Sequence, residues 1–168
     1  MISVIDYGAD SAVEVTSLLE SLNYKFTATS RENIICSSDK IIFPASGDAT
    51  AAVKRLHMLN LFSLLRIIKR SLLAVSLGME LLADHSRDGN SYLGIFPGEV
   101  DKFSGGSPGW KPVSFKISTP LFSKIENAND SLLQFNYILN SVPGSLWDCK
   151  KKANCLGKYK VFYNNDTF

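Results

Sequence analysis

Cysteine is scarce in this chain of 168 residues. Cys36, Cys149 and Cys155 are too few and too scattered for a disulfide framework. The last two have no histidine near them, and zinc wants four well-placed ligands, so neither a metal site nor a cofactor is expected. Long apolar runs are missing too: no stretch approaches the ~20 residues that cross a bilayer. The N-terminal MISVIDYG lacks a basic segment, so no signal peptide is expected either. Charge of one sign is also lacking, and a net +2 does not point to nucleic acid. Lys150, Lys151, Lys152, Lys158 and Lys160 form the one dense basic patch, which reads as a solvated edge. These absences together suggest a reducing cytoplasm, with no membrane or nucleic-acid partner.

The composition that remains is ordinary: 45% hydrophobic and 20% charged, enough for one domain with a proper core, taken as 1–168. Residues 2–5 (ISVI) read as a buried strand before the turn-prone Gly8. Ala12, Val15, Leu18, Leu19 and Leu22 recur at helical spacing. Tyr24, Phe26 and Ala28 alternate as in a second strand. Residues 40–43 (KIIF) give a third, ended by Pro44. A helical stretch runs from Ala49 to Arg70, carried by Val53, Leu56, Leu64, Ile67 and Ile68, with an interruption near Asn60. Leu72–Val75 gives another strand and Leu77–Ala83 another helix. Alternation of this kind implies parallel βαβ units and a sheet covered on both faces. After Asp88 short β-like runs dominate: 99–103, 113–117, 133–139 and 159–163. The expected fold is therefore α/β, doubly wound and mainly parallel, with a β-rich C-terminal half.

Sites in such folds form at the carboxyl ends of the parallel strands. The loops after Ile5, Phe43 and Val75 therefore matter. In LLAVSLGMELL (72–82) an apolar strand runs into a small residue, then Gly78, then a helix. That is the shape of a nucleophile elbow, with Ser76 at the apex. An ordinary turn with Ser76 as helix N-cap gives the same pattern. Pro44-Ala45-Ser46-Gly47 follows the neighbouring strand, where its backbone N–H groups can face an oxyanion.

IDYG, IIFPASG, LLAVSLGMELL, Gly94–Gly98 (GIFPG) and Gly109-Trp110 come in a familiar order and spacing. They resemble the glutaminase subunit of imidazole glycerol phosphate synthase, a class I glutamine amidotransferase. There the stretches run roughly IDYGxGN, PGVG, GICLGMQLL, GLIPG and HMGWN. Residues 135–143 (FNYILNSVP) are similar, more faintly, to FVHSYYVVP. The resemblance implies a flavodoxin-like amidotransferase domain that hydrolyses glutamine with a Cys–His–Glu triad. It also implies a heterodimer in which ammonia passes to a (β/α)8 barrel cyclase in histidine biosynthesis. Related pairs serve in the synthesis of surface polysaccharide sugars.

The catalytic positions depart from that pattern. The family's nucleophilic cysteine maps onto Ser76, and a hydroxyl is a far weaker acid than a thiol. Ala45, Gly47 and Leu77 map onto the oxyanion region, with Ala45 where the family has glycine. Glu80 stands where a glutamine lines the substrate pocket. Asp10-Ser11 replaces Gly-Asn in the first loop. Ser107-Pro108-Gly109-Trp110-Lys111 replaces HMGWN, and Tyr137-Ile138-Leu139 replaces HSY. The late QFHPE motif, with the catalytic histidine and glutamate, has no counterpart, and the final strand and closing helix are expected to be lacking with it. A copy that shed the chemistry and a shortened reading frame both give this outcome.

Two histidines exist, His57 and His85. A continuous helix would carry His85 ~13 Å from Ser76, so both read as helix residues outside the site. Three functional readings follow. One is an amidotransferase subunit with its glutaminase activity lost. Another is a non-catalytic subunit docked on a barrel that uses free ammonia. The third is a serine hydrolase at Ser76, which lacks both the G-x-S-x-G pattern and a base.

Overall fold

The apolar run at residues 2–5 has neighbours on both sides, which is why it needs no polar alternation. In the computed structural model, which describes residues 1–102 and the strands 137–140 and 161–164, it forms β1 (Ile2–Ile5). It is followed by α1 (Asp10–Ser21), β2 (Phe26–Thr29), α2 (Glu32–Ser37) and β3 (Lys40–Ala45). Next come α3 (Ala49–Met58), α4 (Leu61–Ile67), β4 (Ser71–Ser76) and α5 (Leu77–Leu81). The order ends with β5 (His85–Ser86), β6 (Glu99–Lys102), β7 (Tyr137–Asn140) and β8 (Val161–Asn164).

The main sheet has the order β2-β1-β3-β4-β8. Its first four strands are parallel, and β8 lies antiparallel on β4. On one face α1 sets Val15 and Leu19 against Val4, with Phe26 and Ile42 beside them. The larger core lies elsewhere and gathers Ile35 of α2, Leu56 of α3, Leu65 of α4 and Leu81 of α5 around Ile5, Ile41 and Phe43. The fold is thus a doubly wound, mainly parallel α/β sheet of the class I amidotransferase, flavodoxin-like kind. A second sheet, β5-β6-β7, pairs β5 parallel and β7 antiparallel to β6.

Several local expectations need correction. Leu18 and Leu22, assigned to the buried face of α1, are more than half exposed, and so is Ile67 of α4. The α1 face that packs is the narrower Ser11, Ala12, Val15, Leu19 stripe. β2 starts at Phe26, leaving Tyr24 exposed. β3 runs through Pro44 instead of stopping there. The β1 ladder ends at Ile42, so beyond it β3 has a neighbour only on the β4 side, and a residue without N–H is tolerated. The long helical stretch is split, as its interruption suggested: Asn60 takes a left-handed conformation (φ 58°) between α3 and α4.

His85 is not helical. α5 ends at Leu81 because the following loop captures the carbonyls at and just past its end: Leu93 N–H donates to Leu81, Ile95 to Leu82 and Gly94 to Ala83. The chain then enters β5. The expected run 113–117, Trp110, the Lys150–Lys160 patch, Cys149 and Cys155 lie outside the described residues.

Candidate functional site

β1, β3 and β4 are adjacent, so the loops at their carboxyl ends share one edge of the sheet. The last residues of β3 and β4, Ala45 and Ser76, are register partners. The turn at Ser76 is backbone-strained: φ is 58° and ψ −127° on a residue with a Cβ. Such a conformation costs about 1–3 kcal/mol and persists only where its surroundings enforce it. The enforcing contact is two residues further on. A Cβ on Gly78 would lie 2.3 Å from the Phe43 carbonyl oxygen, so α5 rests directly on the backbone of β3. Only glycine permits that approach.

Ser76 is half-buried, and its side chain makes no cap hydrogen bond. Ser76 thus occupies the N-cap position of α5 without its side chain capping the helix, in a turn with the sharp backbone of an elbow. Among the described residues nothing hydrogen-bonds the Ser76 hydroxyl. The histidines are engaged elsewhere. His57 on α3 stacks on Phe62, with ring centroids 3.9 Å apart. His85 on β5 has its Nε2 3.5 Å from Glu99, which also takes Arg87 at 3.0 Å.

Leu77 and Glu80 are both buried on α5. The glutamate is thus enclosed beneath the turn, an unusual place for a carboxylate, and it has an interaction partner there. Ala45 closes β3 in extended backbone and is fully buried. The left-handed position in this loop is Gly47, at φ +85° with open space where a Cβ would stand. An alanine at 45 therefore strains nothing in this backbone.

Two residues that the sequence reading passed over bind these loops together. Tyr7 is buried, with its ring 6.3 Å from Phe43, and its hydroxyl oxygen accepts a long hydrogen bond from the Ser46 N–H at 3.4 Å. Burial pushes the Tyr7 phenol above its ordinary range, and the Ser46 bond opposes this. Arg55 of α3 donates from Nε to the Tyr7 carbonyl at 3.1 Å. The only sequence signal for Tyr7 is an aromatic beside Gly8 in a strand-end loop. For Arg55 there is none.

Among the described residues no three His, Cys, Asp or Glu side chains gather as a metal would require. No described helix is long and apolar enough to cross a membrane. A groove of about 440 Å³, bordered by Glu32, Cys36, Ile67 and Arg70, lies at the amino end of β4 and contains none of the expected site residues.

No protein-family model matches the chain. It is 32% identical over 146 residues to the imidazole glycerol phosphate synthase subunit HisH of Dehalococcoides mccartyi, covering 82% of this chain and 71% of that protein. Against a HisH subunit of Vibrio vulnificus the figures are 33% over 135 residues, 73% and 66%. HisH of Pasteurella multocida gives 29% over 148 residues, 84% and 74%. The chain thus spans about two thirds to three quarters of the length of these relatives.

Proposed function

Because the chain belongs to the HisH family of glutamine amidotransferase subunits, we propose that it is a subunit of an imidazole glycerol phosphate synthase whose glutaminase activity has been lost. One observation carries this reading: a strained elbow is kept at Ser76, while no described side chain hydrogen-bonds its hydroxyl to take the proton. A serine hydroxyl needs such a base, since its own acidity leaves almost no alkoxide at neutral pH. Glu80 supports the same reading. It places a carboxylate where the family keeps a neutral amide for glutamine.

On this reading the elbow, the Ala45–Gly47 loop and Leu77 are the remains of the glutamine site. The partner is a (β/α)8 barrel cyclase, docked at the sheet edge that carries the three loops, and the setting is the cytoplasm. The barrel then draws on free ammonia. Sheet and helices are retained around the turn, which favours a docking subunit over a serine hydrolase.

The test is Ser76→Cys, assayed with a barrel cyclase present. A thiol alone is expected to restore no glutamine hydrolysis, because no base stands beside it among the described residues. Turnover appearing on that single change would mean that a base exists and that the reading is wrong.

A further inference from the structure

Tyr7 is gripped at both ends. Its carbonyl accepts from Arg55 Nε at 3.1 Å, and its phenol oxygen accepts from the Ser46 amide at 3.4 Å. Ser46 lies in the loop that leads into α3, and Arg55 lies two turns along that same helix. The three residues therefore close a ring across the junction of β1 and β3, where the strand order reverses.

The neighbouring Gly8 is part of the fit. It sits at φ +90°, in a turn where its N–H donates to Asp6 Oδ1 at 2.9 Å. A Cβ there would meet Arg55 Nη2 at 3.3 Å and Nε at 3.8 Å. The guanidinium thus lies against the bare face of the glycine. The α3 end of the ring is anchored as well, because Asp48 caps the helix by accepting from the Ala51 N–H at 2.8 Å.

We propose that Arg55 is a positioning residue for this site: it holds the β1–α1 loop so that the Tyr7 phenol fixes the Ser46 amide. Arg55 acts only through Tyr7. A planar guanidinium held by one nitrogen and packed along its side on a glycine is not replaced by the compact ammonium of lysine. The inference rests on the reading that the Ser46 loop belongs to the former glutamine site. The coupling itself is measurable whether or not glutamine is turned over, so the two can fail separately.

The experiment is amide hydrogen exchange, residue by residue, on the full chain and on Arg55→Met, Arg55→Lys, Tyr7→Phe and the Arg55→Met/Tyr7→Phe double variant. A long, neutral hydrogen bond is worth under ~1 kcal/mol, so Ser46 exchange is expected to rise about three-fold in each single variant. Lysine is expected not to rescue, and exchange at Val4 and Ala74 in the core is expected to stay unchanged. The double variant should exchange at Ser46 no faster than Tyr7→Phe alone. Additive effects in the double variant, or unchanged Ser46 exchange in Arg55→Met, would overturn the proposal.

Discussion

Replacing Gly78 with alanine attacks the contact that makes the Ser76 turn possible. The added methyl group would sit 2.3 Å from the Phe43 carbonyl oxygen, with the Phe43 carbonyl carbon and ring Cδ1 both at 3.4 Å. Real Cβ atoms keep at least 3.0 Å from such neighbours, and this one is backbone in a central strand, which cannot rotate away. Relief requires α5 to lift from β3, which disturbs the packing of Leu77 and Leu81. Overpacking of a tight interior costs about 1–3 kcal/mol, and a backbone clash lies at the upper end of that range. At about 2–4 °C per kcal/mol for a domain of this size, Gly78→Ala is expected to lower Tm by about 6–12 °C.

Gly47→Ala is the control. It meets nothing within 4 Å, so only its positive φ is penalised, at about 1 kcal/mol. Thermal unfolding of the two variants side by side is the assay. A Gly78→Ala shift no larger than that of Gly47→Ala would refute the close approach of α5 to β3.

Three further outcomes are expected. Ser76→Gly removes the backbone strain at φ 58° and is expected to raise stability by about 1 kcal/mol in urea unfolding; a loss of stability would deny the strain. Ser3→Ala removes a fully buried hydroxyl that has no hydrogen-bond partner among the described residues and is expected to be neutral or stabilising by about 1 kcal/mol, whereas a loss above that would reveal a partner. Tyr7→Phe alters the alkaline limb of the stability profile. Because burial raises the folded phenol's pKa above 10.0, the stability due to keeping it neutral is complete below pH ~10 and is lost as pH rises towards the folded value. The phenylalanine variant is expected to lose less stability above pH ~10; identical alkaline slopes would contradict this.

The sequence carried the fold where burial has a period. β1, β3 and β4 are short apolar runs, and α1, α3 and α4 repeat every third or fourth residue. It failed where the signal is too brief. α2 has six residues with only Ile35 buried, and β5 has two. The exposed Leu18 and Leu22 misled because an apolar residue at helical spacing does not say how wide the packed stripe is. At the site, the elbow was legible from a strand running into small residues and Gly78. Its backbone strain, and the failure of Ser76 to cap α5, depend on how closely β3 approaches. The Arg55–Tyr7–Ser46 ring was illegible because its members are far apart in the chain and joined through main-chain atoms, which carry no residue signature.

The most direct measurement is glutamate release from labelled glutamine by the unaltered protein with a barrel cyclase present, set against a Ser76→Ala control. The account expects the two to be indistinguishable, since among the described residues nothing hydrogen-bonds the hydroxyl to take its proton. Release above that control would show that Ser76 still works as a nucleophile, and the loss of glutaminase chemistry would have to be abandoned.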